Sequence, residues 1–212
     1  MDDHFILDFD GSSSFYRCNA EKIPDYNTYM EVMLELKEMK IENGGKYPFK
    51  FIILDTITTA IETVIRAMAV QMYNKNEGEN QSLTWDITSL NYGKGHGYIR
   101  EATKLMIEQA KRYGEYVIVV GHVADKSVNK NGTDLTIKEL DLPGKLKNIL
   151  AANVDGLALM YRKDKNTNVL SFIHDESDVL GGTRAQHLNG QEIVISEKTD
   201  IGLKTYWDKI YI

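Results

Sequence analysis

The sequence is poor in cysteine and has no long hydrophobic run. Its single cysteine, Cys18, excludes a disulfide framework within the chain and fits a reducing compartment. No apolar run approaches the roughly 20 residues of a membrane-spanning helix. The chain starts with MDDHFILDFD, which lacks the basic region that opens a signal peptide. These absences predict a cytoplasmic protein with no membrane partner.

Proline is scarce, and the chain has no excess of positive charge. Three prolines occur among 212 residues, and no stretch is rich enough in proline or glycine to be an interdomain linker. Residues 1–212 are therefore expected to form one domain with a sizeable core. The formal net charge of −6 argues against a surface coated with positive charge for indiscriminate nucleic-acid binding. A local basic groove remains compatible with this charge.

Three short apolar runs have the pattern of parallel strands buried on both faces: residues 4–9, 49–55 and 116–122. Segments with helical spacing separate them. The first two helices carry the capping-box pattern T-x-x-E and are expected to begin at Thr28 and Thr59. One face of the second helix should be buried, namely Ile61, Val64, Ile65 and Met68. The alternation of strands and helices predicts a mainly parallel sheet flanked by helices.

Beyond residue 122 the pattern changes. The polar segment 124–144 contains Asn-Gly and predicts a loop or a hairpin. Three later runs are typical of further strands: residues 155–163, 169–175 and 191–198. The first two of these runs are expected to pair as a β-hairpin around residues 164–168. The overall class predicted is therefore α/β with a C-terminal β-hairpin.

Two of the predicted parallel strands end in polar residues that suit a phosphate ligand. Asp55 ends the second run, with Thr56 beside it, and His122 ends the third. In α/β proteins ligands bind at the carboxyl ends of parallel strands. A carboxylate with a hydroxyl is a typical holder of Mg²⁺ at phosphates. Plainer interpretations stay open: Asp55 as a cap of the following turn, and His122 as an edge residue with satisfied hydrogen bonds.

The first run supplies two carboxylates, Asp8 and Asp10. Asp8 falls within the apolar run, so Asp10 is the better candidate for a side chain that points to a ligand. A carboxylate near a triphosphate can orient the attacking water and accept its proton. The alternative is a turn aspartate, which is favoured before Gly11.

Taken in order, FILDFDGSS, FIILDTITT and YVIVVGHV resemble the RecA-like ATPase core. More specifically, they resemble phage-encoded AAA-type nucleotide-binding proteins grouped with RecA-like single-strand annealing recombinases. The resemblance covers nearly the whole chain, including DGLALMYRKDKN and GGTRAQHL. It implies a P-loop NTPase that binds ATP and Mg²⁺ and acts in phage DNA recombination, repair or annealing. By this likeness Asp55 is the Walker B carboxylate, Asp10 replaces the usual water-activating glutamate, and His122 is the γ-phosphate sensor.

The same resemblance implies two loops that contact single-stranded DNA, one before the third helix and one after the third strand. Lys94, Lys126 and Lys130 would contact phosphates, and Trp85 and Tyr92 would offer stacking surfaces for bases. The alternative is that these lysines are simply solvated in polar loops.

Arg184, in LGGTRAQHL, could act as an arginine finger on a neighbouring subunit's nucleotide in a ring or filament of identical chains. A surface arginine after a Gly-Gly turn is the alternative. A phage single-strand-binding protein is a further partner that the resemblance implies.

The phosphate-loop pattern G-x-x-x-x-G-K-[ST] does not occur in the sequence. The nearest segment is NYGKGHGYIR, residues 91–100. It lacks the spacing, has no Ser or Thr after the lysine and follows no buried strand, so it is rejected. In the family the phosphate loop and its strand precede the strand that HFILDF resembles. The sequence therefore predicts a core without the first strand and phosphate loop.

Three explanations for the missing loop stay open. A fragment is favoured; a complete protein that has lost hydrolysis and a loop supplied by another polypeptide are the others. In each case this chain alone is expected to hydrolyse ATP poorly or not at all. The alternative functions are a non-catalytic module that binds or anneals single-stranded DNA, and a helicase-loader type ATPase of replication.

Overall fold

The computed structural model describes residues 3–77, 86–130, 133–173 and 181–211. The chain divides into two compact units, Met1–His122 and Val123–Ile212. Within the described residues, no helix combines the length and the apolar character needed to cross a membrane.

A four-stranded parallel sheet forms the centre of the first unit. Its strands are β1 (His4–Asp8), β2 (Ala20–Lys22), β3 (Phe49–Asp55) and β4 (Gly114–Val120). Their order is β2-β1-β3-β4, and every pairing is parallel. The three apolar runs are thus neighbouring strands, which confirms the prediction of a parallel sheet. The short polar β2 has no apolar signal in the sequence and was not predicted.

The helices of the first unit pack around this sheet. They are α1 (Tyr26–Glu42), α2 (Ile57–Ala60), α3 (Arg66–Glu77) and α4 (Lys94–Ala110), and a π-helical turn (Ile61–Ile65) joins α2 to α3. The predicted inner face of the second helix is confirmed, because all four of its residues are at most 3% exposed: Ile61, Val64, Ile65 and Met68. Each such buried aliphatic side chain stabilises the fold by about 1.5–3 kcal/mol.

The first two helices begin earlier than their T-x-x-E patterns predicted. The carboxylate of Asp25 accepts the backbone N–H of Thr28 at 2.9 Å, so α1 begins after Asp25. The hydroxyl of Thr56 accepts the backbone N–H of Thr59 at 3.3 Å, so α2 begins after Thr56. In both cases the capping residue has an extended backbone, as N-caps require, and the predicted threonine lies within the first turn.

The third apolar run is less buried than predicted. β4 lies at one edge of the sheet that the described residues form, and Val120 is 37% exposed. Only Gly114 of this strand is fully buried. An edge strand has neighbours on one side only, which explains why its apolar residues are half-exposed here.

The second unit is dominated by antiparallel strands. β5 (Val123–Lys130) and β6 (Thr133–Leu140) form a hairpin, which settles the choice between loop and hairpin for the polar segment. After α5 (Leu146–Asn153), a pair of short strands contains β7 (Gly156–Leu157) and β10 (Gly182–Thr183). A further sheet contains β8 (Leu159–Arg162), β9 (Thr167–Ser171), β11 (Glu192–Thr199) and β12 (Gly202–Thr205). The order of its strands is β12-β11-β9-β8. β8 and β9 form the predicted hairpin.

Gly95 allows α4 to pack closely on the turn that precedes it. A Cβ atom at this position would lie 1.8 Å from the carbonyl oxygen of Ile87, which belongs to a short 3-10 helix (Ile87–Ser89). Because no side chain can occupy that space, glycine is required there. The glycines of the rejected segment 91–100 therefore include one with a clear packing role.

We expect Gly95→Ala to lower the free energy of unfolding by about 3 kcal/mol, because the added methyl group overlaps backbone that cannot move freely. Gly97→Ala is the matched control in the same helix. Its Cβ would meet only the guanidinium of Arg100, at 3.8 Å. That variant should gain about 0.5–1 kcal/mol of helix stability. Urea unfolding followed by circular dichroism measures both, and equal effects of the two substitutions would contradict the packing role of Gly95.

Candidate functional site

The register of the parallel sheet brings three strand ends to one level. Asp8 is paired with Asp55, and Asp55 is paired with Val120. Asp10 and His122 lie two residues beyond Asp8 and Val120, just past this edge of the sheet. Because all these strands run in the same direction, their carboxyl ends form one surface, where α/β proteins bind ligands.

Asp55 lies where the negative charges at this edge of the sheet come together. Its carboxylate is half-buried at the end of β3. Burial raises the pKa of Asp55, and the carboxylates of Asp10 and Asp8 raise it further, while His122 and a hydrogen bond from Ser12 act in the opposite direction. The negative charges of three aspartates therefore converge here, and a bound cation would relieve their repulsion.

Asp8 has a different environment from Asp55, although the two are paired in the sheet. It is 1% exposed. Its carboxylate accepts the backbone N–H groups of Gly11 at 2.7 Å and Ser13 at 3.0 Å, and also the hydroxyl of Ser13. Burial alone would raise the pKa of Asp8, but these hydrogen bonds outweigh it and hold the pKa below its usual value. Asp8 therefore acts as the anchor of the loop that follows β1.

Asp10 lies in the loop that Asp8 anchors and is exposed to solvent. Its carboxylate accepts the backbone N–H of Ser12 at 3.0 Å. Gly11, between them, has a φ of 81°, a conformation that favours glycine. The loop thus places Asp10 close enough to Asp55 to affect its pKa.

The third strand end is tied to the helix that follows Asp55. The hydroxyl oxygen of Thr58 accepts the backbone N–H of His122 at 3.0 Å. The hydroxyl of Thr56, in contrast, is 3.2 Å from that of Thr59 and caps α2, and Thr56 is 4% exposed. The predicted contact between Thr56 and a nucleotide stays a prediction. The peptide bond between Asp55 and Thr56 is cis.

Sequence reasoning missed Thr58, Ser12 and the anchoring role of Asp8. A signal for Thr58 was present, because a hydroxyl three residues after a strand-ending aspartate falls in the first helical turn at the ligand edge. The D-x-x-G-x-S spacing from Asp8 to Ser13 is typical of an aspartate that binds the backbone of a following turn.

The residues predicted to contact DNA in the first unit lie in different environments. Lys94 forms an ion pair with Glu77, and its ammonium group is 5.9 Å from the centre of the Tyr73 ring. The side chain of Tyr92 is fully exposed, with a backbone φ of 57°. Trp85 lies outside the described residues.

In the second unit, two of the three predicted residues lie near a carboxylate, namely Lys126 and Arg184. Lys126 of β5 lies 3.8 Å from Glu139 of β6. Lys130 ends β5, and its side chain lies outside the described part of the structure. Arg184 is 71% exposed and lies 3.4 Å from the carboxylate of Asp155. Their proposed roles toward DNA and nucleotide stay predictions.

The carboxylate cluster suits a magnesium ion that is shared with phosphates. The described residues contain no group of three or more His, Cys, Asp or Glu side chains placed to enclose a metal ion. Magnesium at phosphates needs only one or two protein carboxylates, because water and phosphate oxygens complete its six ligands. The half-buried Asp55 fits that requirement.

We expect Asp8→Asn to lower the free energy of unfolding by about 2–3 kcal/mol, because an amide cannot accept all the hydrogen bonds of the loop. The pKa of Asp8 is depressed by folding, so its contribution is present above about pH 4 and is lost as the pH falls. The difference between wild type and variant should therefore shrink in acid. Thermal unfolding across a pH series measures it.

Asp10→Asn is the control for that experiment, because Asp10 is exposed. It should change stability by less than about 0.5 kcal/mol. Equal destabilisation by the two substitutions would contradict the assignment of Asp8 as the anchor.

Comparison with known families identifies a match that covers most of the chain. A family model described as an AAA domain matches residues 1–190. The matched range contains β1–β4 and the residues at their carboxyl ends, namely Asp8, Asp10, Asp55 and His122. No curated protein matches the chain.

Proposed function

The chain belongs to the AAA domain family, and on this premise we propose that it binds ATP with Mg²⁺ at the carboxyl ends of β1, β3 and β4. Membership in the family indicates a nucleotide-binding, ATPase-like function, typically with Mg²⁺. The proposed location of the site rests on the carboxylates of Asp8 and Asp10, which lie near Asp55 at this edge of the sheet. Together with burial, they raise the pKa of Asp55. This negative edge suits a metal-bound triphosphate and would repel a free one.

Each residue of the cluster has a proposed role that follows from its position. Asp55, half-buried and fixed at a strand end, would hold Mg²⁺. Asp10, exposed on an anchored loop, would orient the attacking water. His122, also exposed, would contact the γ-phosphate. Bound magnesium would neutralise charge on the phosphate oxygens.

This chain has a carboxylate that could hold the magnesium ion, but it has no sequence pattern for a loop that binds the phosphates. No G-x-x-x-x-G-K-[ST] segment occurs among the 212 residues, so no backbone cradle of that type surrounds the phosphates. We therefore propose that this chain by itself binds nucleotide weakly and hydrolyses it slowly.

The wider role that we propose is in phage DNA recombination, repair or single-strand annealing, with the chain acting as a homo-oligomer in the cytoplasm of the host. This proposal rests on the resemblance of the strand motifs to RecA-like annealing proteins. Arg184 would act on the nucleotide of a neighbouring subunit, which suits its exposure. The absence of a phosphate-loop pattern favours a second candidate, a non-catalytic module that binds single-stranded DNA.

We expect Asp55→Asn to weaken binding of Mg²⁺–ATP by about tenfold or more, because a charged ligand of the metal is lost. The same substitution should raise the melting temperature at neutral pH without nucleotide. The pKa of Asp55 is raised by folding, so its ionised form costs stability at neutral pH, and that cost disappears when acid protonates it. Titration calorimetry and thermal unfolding measure the two effects.

A misfolded variant would lose both affinity for Mg²⁺–ATP and thermal stability. Loss of the site alone should lower the affinity but raise the melting temperature. Glu62→Gln is the control, since Glu62 is a solvent-exposed member of an ion pair on the following helix. It should leave both quantities unchanged. Equal affinity of wild type and Asp55→Asn for Mg²⁺–ATP would contradict the proposed site and support the non-catalytic candidate.

We expect Tyr92→Ala to weaken binding of a single-stranded oligonucleotide by about fivefold or more, because each base stacked on an aromatic ring contributes roughly 1–3 kcal/mol. Lys126→Glu should weaken binding as well and flatten its salt dependence. Tyr47→Ala is the control, since Tyr47 is 50% exposed in another loop. Fluorescence anisotropy measures the affinities. Identical affinities for wild type and Tyr92→Ala would contradict the proposed stacking of bases on Tyr92.

A further inference from the structure

Thr58 makes a contact that joins the two polar ends of neighbouring strands. It belongs to α2, which begins directly after Asp55 and Thr56. Its hydroxyl oxygen accepts the backbone N–H of His122 at 3.0 Å, across 64 positions of sequence. The half-buried Thr58 thus connects the helix beside Asp55 to the residue that follows β4.

His122 lies between two strands and belongs to neither of them. β4 ends at Val120 and β5 begins at Val123, so residues 121 and 122 lie outside both ladders. A side chain therefore supplies the hydrogen bond that a neighbouring strand would otherwise supply. The contact involves the backbone of His122, while its side chain is exposed.

Thr58 itself is well fixed. The hydroxyl of Thr56 caps the first turn of α2, and the neighbouring Ile57 and Ala60 are fully buried. A β-branched side chain in a helix also has few rotamers available. The acceptor oxygen is thus held at a defined place relative to Asp55.

We propose that Thr58 is a positioning residue that holds His122 at the nucleotide site, so that His122 can distinguish a triphosphate from a diphosphate. Thr58 acts through His122 and need not touch the nucleotide. The proposal rests on the proposed function of this site.

Three substitutions separate this role from general support of the helix. Thr58→Val keeps the shape of the side chain and removes the acceptor oxygen. Thr58→Ser keeps the oxygen and should restore the wild-type behaviour. Thr63→Val is the matched control about one turn further on. The half-buried Thr63 donates its hydroxyl to the carbonyl oxygen of Thr59 at 3.2 Å, and within the described part of the chain it makes no hydrogen bond to His122.

The first measurement is hydrogen exchange of the His122 amide without nucleotide. Thr58→Val should exchange this amide about threefold to tenfold faster than wild type, as expected for the loss of one net hydrogen bond. Thr58→Ser and Thr63→Val should exchange it at the wild-type rate. An unchanged rate in Thr58→Val would overturn the proposal.

The second measurement is the ratio of affinities for a non-hydrolysable ATP analogue and for ADP, both with Mg²⁺, by titration calorimetry. Thr58→Val should reduce the preference for the ATP analogue about threefold to tenfold. His122→Ala should reduce it at least as much, and the double variant should lose no more than His122→Ala alone. A purely structural role would weaken both nucleotides equally, and that result would overturn the proposal.

The two measurements also separate failure of this inference from failure of the proposed function. If the wild type bound neither nucleotide, the proposed function would fail, and the sensing role of Thr58 would fail with it. The exchange rates would still decide whether Thr58 holds His122. If the wild type bound both nucleotides and Thr58→Val kept the full preference for the ATP analogue, only the inference about Thr58 would fail.

Discussion

The in-register pairing of β1 with β3 and of β3 with β4 is the constraint on which the candidate site depends. It aligns Asp8, Asp55 and Val120 at one edge of the sheet. A shift of one residue would turn the side chains of a strand to its other face and separate these groups. The buried apolar residues prevent such a shift, because Leu7, Ile52 and Leu54 would leave the core.

Two paired aspartates at this edge carry opposite pKa shifts, and the contrast explains their different uses. Asp8 is fully supplied with hydrogen-bond donors from the loop, so its charge is stabilised within the protein. Asp55 has fewer donors, and burial together with the carboxylates of Asp10 and Asp8 raises its pKa, so its ionised form is costly within the fold. Under the proposed function, Asp8 would stabilise the fold and Asp55 would bind the metal, although both carboxylates end strands of the same sheet.

Much of the fold could be predicted from the chain itself. Continuous apolar runs identified three parallel strands, and helical spacing identified the face that contains Ile61 and Met68. The exact helix starts could not be read in this way, because T-x-x-E patterns lie one turn inside caps made by Asp25 and Thr56. The preference for Asp10 over Asp8 as the exposed carboxylate agrees with the structure, since position within an apolar run is a direct sign of burial.

The sequence by itself determined the order of the three apolar strands and the helices between them, the polar residues at or just beyond their ends and the lack of a phosphate-loop pattern, because these depend on local composition and spacing. Tertiary structure alone decided that Asp55 lies close to the negative charges of Asp8 and Asp10 and that Thr58 holds His122. Those properties arise from contacts between residues far apart in sequence, such as the 64 positions between Thr58 and His122, and no local pattern encodes such distances.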